Sequence, residues 1–201
     1  MNGFEEAAWE AHQFFGDLGV SYAIIDGMAV QQWGEPRLTR DIDITVAAPL
    51  DELDALLRRV LNHFPARLDD ALAFARRNRV ILVTASNGLP LDIALGLPGY
   101  EDEVMQRAVA VEVEPGKALR ICSAEDLIIC KAVAGRPQDL RDIEGIVHRQ
   151  GQKLKADLIR HWLAHFAVIL DRQDITEPFE SSWRKVRSDL PCAPVPSFVL
   201  P

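Results

Sequence analysis

The stretch DIDITV at residues 41 to 46 restricts the fold more than any other part of the chain. It is a strand-like run, and side chains of a strand alternate between its two faces. Asp41 and Asp43 therefore share one face, and Ile42 and Ile44 share the other. Two carboxylates on one strand face repel, and one of them takes up a proton unless something positive sits between them. A strand of this kind needs an apolar layer behind its isoleucines and, in front of its aspartates, either solvent, as on any solvated strand face, or a cation.

The surrounding pattern supplies the rest of a mixed architecture. FEEAAWEAHQFFGDL has apolar residues recurring at three and four, so residues 4 to 18 read as an amphipathic helix ended by Gly19. VSYAII reads as a short strand running into Asp26 and Gly27, after which MAVQQWG resumes helical spacing until Gly34 and Pro36 stop it. After the 41 to 46 strand, DELDALLRRVLNHF is a helix with Asp51 and Glu52 in its first turn, where acids suit the dipole. RVILVTAS and PLDIALG are two strands joined across Asn87-Gly88, a hairpin signal, and AVAVEVEPGKALRIC reads as a second hairpin.

From SAEDLIICKAVAG onward, with Ser123 as N-cap, the chain reads as helical through DLRDIEGIVHRQG and DLIRHWLAHFAVIL. Pro178, Pro191, Pro194 and Pro201 mark residues 171 to 201 as an extended tail. The expected class is α+β: a mixed sheet flanked by helices over residues 1 to 122, with a helical C-terminal part over 123 to 170.

The totals narrow the classes of function. A chain of 201 residues with 48% hydrophobic and 26% charged residues is that of a globular protein able to bury a real core. Cys122, Cys130 and Cys192 are odd in number and form no CxxC pair, which argues against a disulfide framework and a zinc site. The formal charge of -8 disfavours indiscriminate nucleic-acid binding, which depends on Lys and Arg neutralising phosphates. No apolar run approaches a membrane span and the start is acidic, so no membrane partner is expected and the expected compartment is the cytoplasm.

A divalent cation satisfies the carboxylate pair. Mg²⁺ takes oxygen ligands and is usually held by one or two carboxylates together with the phosphates of a substrate. Asp26, Gly27 and Met28 sit where a strand turns into a helix, where backbone N–H groups receive phosphate oxygens. Asp92, in PLDIALG, is a third carboxylate on a strand able to lie beside DIDITV.

In this order and spacing, IDGMAVQQWGEPRLTRDIDITV resembles the polymerase-beta-like nucleotidyltransferases: a hydrophobic residue, Gly, then Gly or Ser, a helix, a short loop and Asp-x-Asp in a strand, with a third Asp later. RLTRDID is similar to the Arg-x-Thr-x-Asp-x-Asp run of the AbiEii-type toxin nucleotidyltransferases, and ICKAVAGRPQDLRDI to their Lys-bearing helix and following Asp. The likeness covers roughly residues 20 to 146, with Asp26 standing where the family has its first Gly.

The resemblance implies that Asp41, Asp43 and Asp92 are catalytic and bind Mg²⁺ or Mn²⁺. It also implies that Gly27, Met28, Arg37, Thr39, Lys131 and Arg136 bind the NTP. The activity implied is transfer of an NMP to a hydroxyl acceptor, whether tRNA, a protein or a small molecule of the antibiotic type, with an antitoxin as partner in the toxin case.

Lys131 and Arg136 bracket a helix end, where cations favour the dipole in any protein, so their spacing alone also fits an ordinary helix terminus. Asp139 and Asp142, three apart, read as ion partners of Arg136 or Arg141. His161 and His165 are four apart but lack the Glu of a zinc-protease motif. ARRNR at 75 to 79 is the densest basic run, a solvated loop or a polyanion contact, and Trp33, Trp162 and Trp183 read as packing residues. Two further classes share these residues: a catalytically inactive protein of the same fold that binds a nucleotide or a partner, and a phosphohydrolase using the same carboxylates with water.

Overall fold

Strand β2 (Ile42–Ala47) forms where the alternation predicts, with Ile42, Ile44 and Val46 fully buried on one face. The computed structural model describes residues 1–188. Around β2 they build a six-stranded mixed sheet together with β1 (Tyr22–Ile25), β3 (Val80–Thr84), β4 (Pro90–Gly96), β5 (Val109–Glu114) and β6 (Lys117–Ile121). The order across it is β3-β4-β2-β1-β6-β5. β1 runs antiparallel to β2 and parallel to β6, and β2 runs parallel to β4. Both expected hairpins, β3 with β4 and β5 with β6, are antiparallel as turn-linked neighbours must be.

Helix α1 (Gly3–Asp17) starts in a capping box between Asn2 and Glu5 and buries Ala7, Ala8, Ala11 and Phe15 along one stripe against the sheet. α2 (Asp26–Trp33) follows β1 with no loop, and α3 (Leu53–His63) and α4 (Ala71–Asn78) connect β2 to β3. α6 (Ala124–Ala134) is capped by Ser123, whose side chain accepts the Asp126 N–H. It packs against α2, α7 (Pro137–Gln150) and α8 (Ala156–Ile169). One continuous apolar core runs from the sheet into α6, α7 and α8. The α+β expectation is borne out. Among the described residues, no helix is long and apolar enough to cross a membrane.

Two expectations about local structure change, and one helix lies where the sequence reading assigned no element. Residues Tyr100–Arg107 form a helix, α5, that the turn-like LPGY obscures. The basic run is no loop: Arg76 and Arg77 lie in α4, Arg76 pairs with Asp54, and Arg79 ends the helix in the left-handed region with its guanidinium on the Leu95 and Gly96 carbonyls. The expected tail is helical as far as Ser188, a 3-10 turn at Gln173–Thr176 leading into α9 (Glu177–Ser188). Pro178 lies in the first turn of α9, where its missing N–H has no helical partner to lose. Residues 189 to 201, with Cys192 and the remaining tail prolines, lie outside the described residues.

Candidate active site

The register of β2 sets the site. Asp43 stands directly opposite Asp92 on parallel β4 and opposite Ile25 on β1. Residues paired across adjacent strands project to the same face, so Asp43 and Asp92 are side by side, with Asp41 two residues earlier on that face. All three line one cleft of about 350 Å³ with Asp26, Arg37, Thr39 and Arg136. A second cavity of about 270 Å³ shares Asp26, Asp43 and Arg136 and adds Lys131 and the apolar wall of Ile25, Leu127, Cys130 and Ala134. A larger cavity, about 480 Å³, opens between α7 and α9, but it holds none of these carboxylates.

The Asp43 carboxylate makes no hydrogen bond or ion pair among the described residues. Burial, then the charges of Asp26, Asp41 and Asp92, push its carboxyl up to about 7, against a smaller opposing pull from Lys131. A carboxyl that is buried, set beside like charges and given no cation of its own behaves in this way. Asp41 accepts from the Thr39 hydroxyl at 3.3 Å. Asp92 is paired with Arg67, a residue between α3 and α4 that the sequence reading passed over. The Arg67 stretch is fixed to the sheet edge by an Ala66–Val83 bridge and by the Arg67 N–H donating to the Leu82 carbonyl.

The strand-to-helix corner is tight. Asp26 has φ +47, in the left-handed region that Asp tolerates better than most residues. A Cβ on Gly27 would come within 2.3 Å of Thr39 Oγ1, so only glycine lets the 35 to 41 loop close over α2. Gly27 and Met28 are buried, and neither residue lines the cleft.

The cations form a network centred on Asp26. Lys131 is only 3% exposed, and its Nζ lies 2.8 Å from Asp26, 3.1 Å from Asp139 and 2.8 Å from Asp142. Arg37 donates to Asp26 at 2.9 Å and to Asp142 at 3.1 Å. Arg136, 66% exposed at the mouth, pairs with Asp139 at 2.7 Å and reaches Asp26 at 3.4 Å. Burial would raise the carboxyls of Asp139 and Asp142, but hydrogen bonds from Lys131, with Arg136 on the first and Gln138 and Arg37 on the second, hold both below the usual range. The expected pairing of Asp139 with Arg136 is present; Asp142 takes Arg37 and Lys131, and Arg141 instead donates to Gln138. Lys131 lines the second lobe but is buried, because α6 is apolar nearly all round.

Among the described residues, no group of three or more His, Cys, Asp or Glu side chains is gathered as a metal site. The donor chemistry nonetheless fits Mg²⁺ or Mn²⁺: three carboxylates on one cleft, one of them, Asp43, without a partner and destabilised in its charged form. Trp33, Trp162 and Trp183 line neither lobe. Trp33 donates to the Cys122 carbonyl, Trp162 packs on Tyr100 and Trp183 on Phe179.

No family model matches the chain, and no curated protein matches it. Solved structures do. The solution structure of the antibiotic-resistance factor ANT(2'')-Ia is 20% identical, covering 82% of this chain and 90% of that one, with a TM-score of 0.51. The crystal structure of ANT(2'')-Ia in complex with adenylyl-2''-tobramycin is 17% identical over 77% and 94%, with a TM-score of 0.50. This chain has a nucleotidyltransferase fold. An antigenic nucleotidyltransferase-like protein from Paracoccidioides brasiliensis is 16% identical over 88% of this chain and 92% of that one, with a TM-score of 0.49. At these identities the likeness is one of fold, and it agrees with the mixed-sheet architecture expected from the order of motifs.

Proposed function

We propose that the chain is a metal-dependent nucleotidyltransferase that moves an NMP from an NTP to a hydroxyl acceptor and releases pyrophosphate. The observation that carries this is the register that sets Asp43 beside Asp92, with Asp41 on the same face, in a cleft rimmed by Arg37 and Arg136. Arg136 and Arg37 are suited to hold phosphate oxygens through paired N–H donors, and Lys131 adds a point charge behind them. Asp41, Asp43 and Asp92 would hold magnesium or manganese, which would supply the positive charge that offsets the carboxylates and the leaving pyrophosphate. Asp92, released from Arg67, accepts the proton of the acceptor hydroxyl as its oxygen bonds to the α-phosphorus and the bond to the β-phosphate oxygen breaks.

The charge balance favours a neutral or cationic small hydroxylated acceptor over tRNA. The chain carries a formal charge of -8, and the cleft is lined by five aspartates, counting Asp26 and Asp139. The AbiEii-type reading, with tRNA or protein as acceptor and an antitoxin as partner, rests on the likeness of the RLTRDID and ICKAVAGRPQDLRDI stretches.

The test is magnesium-dependent pyrophosphate release across a panel of acceptors, with mass spectrometry of the product. Asp92→Asn should keep most NTP binding and lose transfer by roughly two to four powers of ten, the usual worth of a general base. Asp41→Asn and Asp43→Asn should lose both. Release of orthophosphate instead identifies a phosphohydrolase, and binding without turnover identifies a protein that keeps the fold for recognition.

A further inference from the structure

The three cations that face the cleft are already neutralised. Lys131, Arg37 and Arg136 are matched by Asp26, Asp139 and Asp142, three charges against three. The three anions are not equivalent. Asp26 and Asp139 both line the two lobes of the cleft, but Asp139 and Asp142 are only 2% and 3% exposed on the buried side of α7, whereas Asp26 is 26% exposed. Asp26 is also the anion common to all three: one oxygen takes Lys131 at 2.8 Å and Arg37 at 2.9 Å, and the other takes Arg136 at 3.4 Å. A carboxylate bridging an ammonium and two guanidinium groups makes the contacts that a phosphate group would make with the same donors.

We propose that Asp26 is a built-in competitor for phosphate, and that a nucleoside triphosphate enters the cleft by displacing its carboxylate from Lys131, Arg37 and Arg136. The inference rests on the reading of the cleft as a nucleotide site and names the residue that sets its affinity. Without Asp26 the cluster would hold three cations against two buried anions, a net charge of +1 directed at the cleft. With Asp26 in place the cluster is neutral, and a phosphate gains charge complementarity only by taking the carboxylate's position. Of the three anions, only Asp26 can give way, because moving Asp139 or Asp142 would disrupt the buried side of α7, whereas Asp26 needs only a side-chain rotation into the cleft.

The test is calorimetry with inorganic pyrophosphate and with ATP, in EDTA and again with magnesium, on the wild-type chain, Asp26→Asn and Asp26→Gly. Asparagine keeps the size and tolerates the left-handed backbone, and glycine suits φ +47 without strain. Pyrophosphate affinity should rise at least tenfold in Asp26→Asn and at least as much in Asp26→Gly. Unchanged or weaker affinity in variants that are folded by circular dichroism overturns the proposal. So does failure of both variants to fold, because Asp26 would then be a structural brace. A tenfold gain with no transfer to any hydroxyl upholds the competitor and removes the nucleotidyltransferase reading. Magnesium-dependent pyrophosphate release by the wild type with unchanged affinity in Asp26→Asn does the reverse.

Discussion

Replacing Asp43 by Asn should make the metal-free protein more stable, although the same change abolishes the proposed chemistry. Asp43 is the carboxylate that burial and the charges of Asp26, Asp41 and Asp92 raise from an ordinary 3.8 to about 7. At about 1.4 kcal/mol for each tenfold in acidity, its charged form is penalised in the folded state by about 4 kcal/mol. The unfolded chain bears no such penalty. Below about pH 4 the group is protonated in both states and costs nothing; between about pH 4 and 7 the folded protein holds the proton longer than the unfolded one, so stability falls as pH rises; above 7 the full penalty is present. Asparagine is neutral throughout and nearly the same size.

Urea denaturation in EDTA should therefore show the two proteins converging near pH 4 and separating by about 4 kcal/mol in favour of Asp43→Asn at pH 8. In a thermal scan at pH 8 the difference is roughly 10 °C for a domain of this size. Magnesium or manganese should narrow the gap by stabilising the wild type, since a ligand that binds only the folded state adds to its stability. An Asp43→Asn protein no more stable than wild type at pH 8 in EDTA would refute the claim that Asp43 is buried beside like charges without a counter-ion of its own.

Lys131→Ala should cost about 3–5 kcal/mol in urea denaturation, because it leaves Asp139 and Asp142 charged, buried and short of a partner. Arg136→Ala, at the exposed mouth, should keep the fold and weaken ATP binding in calorimetry. Gly27→Ala should destabilise by about 1–3 kcal/mol through the clash with Thr39, and Thr39→Gly in the same chain should return part of the loss, which a double-mutant cycle measures. Arg67→Ala should tighten Mn²⁺ binding measured by electron paramagnetic resonance, since Arg67 and the ion contend for Asp92; unchanged affinity would mean that Arg67 yields at no cost.

What the sequence disclosed and what it concealed divide along the range of the signal. Asp41, Asp43 and the isoleucines between them declare a strand face within six residues, and Asn87-Gly88 declares the hairpin that carries Asp92, so the carboxylates and the core of the sheet were legible. Arg67 was not, because nothing near it in the chain refers to Asp92; the pair exists only once the Ala66–Val83 bridge lays that stretch on the sheet edge. Lys131 did carry a signal that went unused. It sits in AEDLIICKAVA, where apolar residues occupy every side of the helix, so a lysine there has no wet face and must meet carboxylates inside the protein. The DLRD run that follows supplies two of them three residues apart, the spacing that turns both Asp139 and Asp142 toward one face of α7. The third comes from Asp26, 105 residues away, and no local rule reaches that far. The place of Asp26 thus has its physical reason in a lysine buried on a distant helix: the strand-to-helix corner carries an anion that Lys131 and Arg37 hold at 2.8 and 2.9 Å.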